Sequence, residues 1–160
     1  MASTPDRSAR PPRVADVHLR GPAPRGRARV YWPATADRRP ALVVVFASPS
    51  TVDGGELVDR LLDRAGAVVL AVSAAHAIEA HATLDWAADH ARELGADPDR
   101  LAVVGAGSAA ALAERVVELA TDEGWPPLRQ VALIWPLDDP GPALDRLAAA
   151  LARPAAGHVR

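Results

Sequence analysis

Residues 101–113 have the clearest chemical potential in this sequence. An apolar run leads into Gly105 and Gly107, and an alanine-rich helical pattern follows, which predicts a strand, a tight turn and a helix. A turn of the form G-x-G-x-x-G/A binds a pyrophosphate through backbone N–H groups at a helix N-terminus. A turn of the form G-x-S-x-G instead holds a nucleophilic serine on a strained elbow beside an oxyanion site.

The sequence nearly satisfies both patterns. Gly105, Gly107 and Ala110 fit the nucleotide-binding spacing, whereas Ala106, Ser108 and Ala110 form an altered serine elbow. As a nucleophile, Ser108 would need a base within hydrogen-bond reach and donors for the oxyanion. The only histidine that follows it in the chain is His158.

The elements around this turn follow an alternating order of strands and helices. Continuous apolar runs at residues 41–46, 67–72, 101–105 and 131–135 predict strands that are buried on both faces. Helical spacing predicts helices over residues 54–65, 74–94 and 142–151, and a further helix that follows Gly107 and extends to about residue 122. Alternating residues predict a hairpin over 14–19 and 28–32. The fold class is therefore α/β, with a mainly parallel sheet, helices on both faces and an N-terminal antiparallel hairpin.

Length and composition limit the function classes. A chain of 160 residues fits one domain, predicted at residues 13–152, between a flexible arm (1–12) and a flexible tail (153–160). The absence of cysteine excludes disulfides, thiolate metal sites and a cysteine nucleophile. A net charge of −2 gives no electrostatic basis for binding nucleic acid or an anionic membrane. We expect a cytoplasmic protein that needs no cofactor.

The helix predicted over residues 74–94 carries a group of possible metal ligands. His76, Glu79, His81 and Asp85 recur at i, i+3 and i, i+4 spacings, but the two histidines do not share one helix face. We interpret them as solvated surface and predict no metal site. Four residues of this helix are expected to face inward: Ile78, Ala82, Trp86 and Leu94.

Several segments together resemble the α/β-hydrolase fold, specifically the hormone-sensitive-lipase-like esterases. The matching segments are residues 29–33, 41–46, 66–72, 84–105 and 131–139. The run ELGADPDRLAVVG, which ends at Gly105, is the most specific, because this family characteristically places Leu-Gly-x-Asp-Pro-x-Arg directly before the nucleophile strand. The resemblance implies a carboxylic-ester hydrolase fold over roughly residues 28–139.

The same resemblance shows where the sequence departs from the family. The family has His-Gly-Gly-Gly in its oxyanion loop, and this chain has Ala47, Ser48, Pro49 and Ser50. Gap-free alignment of the elbow places Gly107 at the nucleophile position, so that Ser108 lies one residue late. The family strands that carry the triad acid and histidine have no counterpart in the 160 residues.

These departures imply a degenerate esterase/lipase-like domain, catalytically inactive and acting in binding or assembly. Two alternatives stay open: a carboxylic-ester hydrolase that uses Ser108, and a nucleotide-binding module that uses Gly105, Gly107 and Ala110. If no further strand pairs with residues 131–135, that strand is an open edge. We therefore expect a homodimer, or a partner protein, at a surface formed by Val131, Ala132, Leu133, Ile134 and Trp135.

Overall fold

The computed structural model describes residues 12–18, 27–34, 39–128, 130–134 and 141–152, which form six strands and five helices. The strands are β1 (Arg13–Val17), β2 (Arg27–Trp32), β3 (Ala41–Phe46), β4 (Val68–Ser73), β5 (Asp97–Ala106) and β6 (Gln130–Ile134). The helices are α1 (Pro49–Val52), α2 (Glu56–Ala65), α3 (Ala77–His90), α4 (Ala110–Glu123) and α5 (Gly141–Ala152). A single 3₁₀ turn (Gly107–Ala109) joins β5 to α4.

All six strands form one sheet, in the order β1-β2-β4-β3-β5-β6. The pairs β3–β4, β3–β5 and β5–β6 are parallel, whereas β1–β2 and β2–β4 are antiparallel. This arrangement confirms the predicted parallel neighbours and the predicted hairpin at one edge. Each parallel connection contains a helix, as a crossover between parallel strands requires.

The two faces of the sheet are covered by different helices. Val43 and Val45 of β3 belong to a core with α1, α2 and α5, whereas Leu42, Val44 and Phe46 belong to a second core with α3 and α4. Successive side chains of a strand point to opposite faces, so a strand between two cores needs an apolar residue at every position. The run ALVVVF meets that requirement, and all six residues are buried.

Helix α3 differs from the expectation in both its bounds and its buried face. It spans Ala77–His90 rather than 74–94, and Ile78 is 79% exposed. Ala82 is exposed and Trp86 and Leu94 are half-buried. The fully covered residues on α3 and the turn after it are instead mostly small: Ala80, Leu84, Ala87, Ala88 and Ala91. The inward stripe therefore follows the small residues, which let α3 approach the sheet and α4 closely.

Two shorter segments also differ from the expectation. Strand β5 begins at Asp97 rather than residue 101, because the Asp97 N–H donates to the Pro40 carbonyl at 2.8 Å and Asp97 pairs with Ala41. The segment 47–50, expected only to interrupt the chain, includes the start of α1. Pro49 occupies the first helical turn, where its missing N–H costs no helical hydrogen bond.

Some expectations fall on residues outside the described part of the chain. The arm (apart from Pro12), the tail, Trp135 and His158 are among them. In the ranges that are described, no helix combines the length and apolar character needed to cross a membrane.

Candidate active site at the carboxyl edge of the sheet

The altered elbow and the altered oxyanion segment lie at the same edge of the sheet. Phe46, the last residue of β3, pairs with Gly105 near the end of the parallel strand β5. The residues that follow each strand, 47–50 and 106–108, therefore meet at the carboxyl edge. In open α/β sheets this edge is where ligands bind. The structure thus brings together the two segments that the sequence singled out.

Gly107 occupies the strained vertex of the elbow. Ala106 is still extended, with φ −123° and ψ 132°, and Gly107 turns the chain with φ +59°. This left-handed conformation favours glycine, and in the described ranges every residue with a positive φ is a glycine. The chain then continues through the 3₁₀ turn into α4, and the Ala110 N–H donates to the Gly107 carbonyl.

Ser108 follows the vertex and lies within the 3₁₀ turn, where it is exposed to solvent. Four histidines fall in the described ranges: His18, His76, His81 and His90. None of them makes a hydrogen bond to Ser108; the His90 Nδ1 lies 2.8 Å from the Trp86 carbonyl instead. The described residues thus place an accessible hydroxyl at the elbow without a base bonded to it.

The oxyanion segment is folded into the start of α1. The Ala47 N–H donates to the Val72 carbonyl at 3.0 Å, and the Ser48 carbonyl accepts from the N–H groups of Thr51 and Val52. Pro49 has no N–H to donate. The hydroxyl oxygens of Ser48 and Ser50 are 2.9 Å apart. Two of the four positions in this segment therefore offer no free N–H, because the Ala47 N–H is used and Pro49 has none.

Charged side chains of the hairpin hold the end of α1. The guanidinium of Arg27 donates two hydrogen bonds to the Asp53 carboxylate, at 3.0 and 2.5 Å, and Arg29 donates to Asp16 at 2.7 Å. These bonds hold the pKa of Asp53 and of Asp16 below the usual range. The Tyr31 hydroxyl donates to the Val52 carbonyl at 2.6 Å, and burial raises the pKa of that hydroxyl. These contacts could not be predicted from the sequence, because the residues that form them are far apart in the chain.

The predicted interface strand occupies one end of the described sheet. In β6, Val131 pairs with Val103, Ala132 with Val104, Leu133 with Gly105 and Ile134 with Ala106. The described strands provide no second neighbour for β6. The backbone therefore agrees with the predicted parallel placement, and the homodimer at this edge stays a prediction.

The nucleotide-binding alternative shares the same turn. Gly105 is buried in β5 and Ala110 is buried at the start of α4, so strand, turn and helix follow one another as that pattern requires. The α4 N-terminus has no side-chain cap. These features are common to both kinds of turn, and no further feature of the described residues favours a nucleotide.

One group of ligand-type side chains lies away from this edge, and it contradicts a sequence-based interpretation. His81 was interpreted as solvated surface, yet only 7% of the residue is exposed. It lies between Asp85 of α3 and Glu123 of α4. Glu123 was not predicted as part of this group, because only the packing of α4 against α3 brings it near His81.

Comparison with known proteins identifies the fold. A family model described as the alpha/beta hydrolase fold matches residues 44–155. Esterase LipI of Mycobacterium tuberculosis is 33% identical over 144 residues, which cover 77% of this chain and 43% of that protein. Carboxylesterase NlhH of the same species is 30% identical over 121 residues, which cover 67% of this chain and 38% of NlhH. This chain thus spans less than half the length of both relatives.

Solved structures agree with this assignment. The thermophilic carboxylesterase EstE1, cloned from a metagenomic library, superposes with a TM-score of 0.65 at 30% identity and covers 78% of this chain and 47% of its own. A hyperthermophilic esterase from Pyrobaculum calidifontis gives a TM-score of 0.64 at 25% identity, and the match covers 91% of this chain and 57% of that one. The resemblance inferred from the sequence is confirmed. The chain belongs to the α/β-hydrolase fold family, and the relatives that it resembles are esterases.

Proposed function

We propose that this esterase-like domain has lost hydrolysis at its elbow and acts by binding a ligand or a partner. The observation that carries the proposal is Gly107 at the vertex, with φ +59°. Covalent ester hydrolysis needs a nucleophilic side chain at that point, activated by a neighbouring base. A glycine supplies no nucleophile, and the next hydroxyl belongs to Ser108.

The position of Ser108 does not replace the missing side chain. In a 3₁₀ turn each residue is rotated by about 120° relative to the preceding one. The Ser108 side chain therefore leaves the backbone in a different direction from a side chain at Gly107. A substrate held for attack from the vertex would present its carbonyl to the wrong atom.

The oxyanion segment supports the same proposal. Stabilising a tetrahedral intermediate requires preorganised N–H donors that point at the developing charge. Here the Ala47 N–H bonds to Val72 and the Thr51 N–H bonds to Ser48. Pro49 has no N–H, so within residues 47–50 only Ser48 and Ser50 have an N–H left to offer a developing oxyanion.

An alternative function is carboxylic-ester hydrolysis through Ser108. Two observations favour it: the Ser108 side chain is exposed at the carboxyl edge, and the curated relatives are named as esterases. This alternative would need a base to reach Ser108 and donors to form on binding.

A fluorophosphonate probe distinguishes the two functions. We expect no adduct by intact-mass measurement and no turnover of short p-nitrophenyl esters above that of the Ser108→Ala variant. Ser50→Ala, which changes another exposed serine at the same edge, serves as the matched control. Labelling and turnover that disappear in Ser108→Ala and persist in Ser50→Ala would establish the hydrolase alternative.

Assembly through β6 is the second part of the proposal. A strand with one neighbour presents unpaired N–H and C=O groups, and a second copy can pair with them about a two-fold axis. Light scattering of the purified chain tests this directly. We expect twice the monomer mass of 16.7 kDa, whereas a monomer at high concentration would contradict the homodimer.

A further inference from the structure

His81 lies between two carboxylates that come from different helices. Its Nδ1 is 3.6 Å from Asp85 Oδ2, one turn along α3, and its Nε2 is 3.8 Å from Glu123 Oε2, on the last residue of α4. Both distances exceed those of a normal hydrogen bond, about 2.7–3.2 Å. The three groups therefore lie close together without hydrogen bonds between them, and each ring nitrogen faces one carboxylate.

Two polar atoms of this cluster are buried and have no hydrogen-bond partner. The His81 side chain is 91% buried, since 9% of it is exposed, and its Nε2 has no hydrogen-bond partner. Asp85 Oδ1 is also buried without a partner. Buried polar atoms are almost always satisfied in folded proteins, by protein, water or an ion. These two atoms, on His81 and Asp85, are therefore available to coordinate an ion or to bond to its water.

The electrostatic field of the site favours a cation. Asp85 and Glu123 supply two carboxylates, and the carbonyl end of α4, which also carries partial negative charge, is at Glu123. In the described ranges, no arginine forms an ion pair with Asp85 or Glu123.

We propose that His81, Asp85 and Glu123 bind a divalent transition-metal ion, with Zn²⁺ as the best match, and that the ion joins α3 to α4. One imidazole nitrogen and two carboxylate oxygens are ligands that Zn²⁺ accepts in tetrahedral sites, with water as the fourth ligand. The side chains of Asp85 and Glu123 are 35% and 61% exposed, so an ion and its water can enter from solvent.

The candidate ligand atoms need to move only slightly closer together to bind one ion. The candidate ligand atoms all lie within 4.8 Å of one another. In a tetrahedral site with metal–ligand bonds of about 2.0–2.1 Å, neighbouring ligand atoms are about 3.3 Å apart. Rotation of the solvent-exposed Glu123 side chain can supply most of this change, while the buried His81 stays in place.

Titration of Zn²⁺ into the chelator-treated, dialysed protein tests the proposal by calorimetry. We expect one site per chain and a Zn²⁺-dependent rise in Tm, because an ion that binds only the folded state stabilises it. Loss of an outer-shell partner typically costs about 10–100-fold in metal affinity, so loss of the Glu123 ligand in Glu123→Gln should cost at least tenfold. Co²⁺ in place of Zn²⁺ should give visible absorption bands that Glu123→Gln loses.

Two matched controls separate this site from adventitious binding. Asp122→Asn changes the neighbouring exposed carboxylate on α4, and His76→Gln changes an exposed histidine beside the start of α3. Both control variants should leave the affinity for Zn²⁺ unchanged. If His81→Gln does not fold, the Zn²⁺ affinities of Asp85→Asn and Glu123→Gln test the proposal instead. Both of these side chains reach solvent, so their substitution should leave the fold intact. Equal losses of affinity in the controls, or no binding of Zn²⁺ by the unaltered chain, would overturn the proposal and leave His81 as a buried neighbour of the two carboxylates.

Discussion

The interior of the sheet and its carboxyl edge differ in how closely they keep the family pattern. In the interior, β3, residues 68–72 of β4 and residues 101–106 of β5 are apolar runs buried between two helix layers. At the edge, the segment 47–50 and the elbow at Gly107 are where the sequence departs from the pattern that the resemblance implies. Burial constrains the interior positions, whereas Ser48, Ser50 and Ser108 at the edge are exposed. The fold has therefore been retained where packing requires it.

The strongest test of this comparison is a change in the interior beside the edge. Phe46, the last residue of β3, is fully buried between the sheet and helices α3 and α4. We expect Phe46→Ala to lower the free energy of unfolding by about 3–5 kcal/mol, because it leaves a cavity in a packed core. Denaturant unfolding measures the loss. Ser50→Ala, only four positions along the chain, should stay within about 0.5 kcal/mol; comparable losses in both would remove the distinction between the two regions.

The edge itself should show one constrained position. Gly107→Ala places a Cβ on a residue with φ +59° and should lower the free energy of unfolding by about 1–3 kcal/mol. Ser108→Ala, at the next residue, should change it by about 0.5 kcal/mol or less. Denaturant midpoints of the two variants, measured side by side, test this. A larger loss in Ser108→Ala would place the strained vertex at the serine.

The smallest expected effect is the acid sensitivity of the α1 anchor. The hydrogen bonds from Arg27 lower the folded-state pKa of Asp53. A depressed folded pKa gives stability that is present above the unfolded pKa, near 3.8, and is lost as the pH falls through the folded value. Asp53→Asn should therefore slightly lower Tm at pH 7 and narrow the difference between Tm at pH 7 and at pH 3. Added salt should reduce the effect, since both side chains are about half exposed. An unchanged pH dependence of Tm in Asp53→Asn would show that the Arg27–Asp53 pair contributes nothing to stability.

Most of the fold was predictable, and the candidate site was predictable in part. The four parallel strands were predicted from continuous apolar runs, because strands buried on both faces need an apolar residue at every position. The hairpin was predicted from alternating residues, because only one face of such a strand is buried. The glycine at the elbow vertex followed from the resemblance. The short helix α1 was missed, since a serine- and proline-rich segment of that length is as typical of a loop as of one helical turn.

The sequence by itself determined which residues belong to buried strands and that a glycine, not a serine, takes the turn before α4. Apolar periodicity and the conformational range of glycine are local properties, so both can be predicted directly from the sequence. Tertiary structure alone decided that α3 buries its alanines rather than Ile78, and that Glu123 meets His81. Those outcomes depend on how closely α3 and α4 approach each other, and that distance is set by packing between residues far apart in the chain.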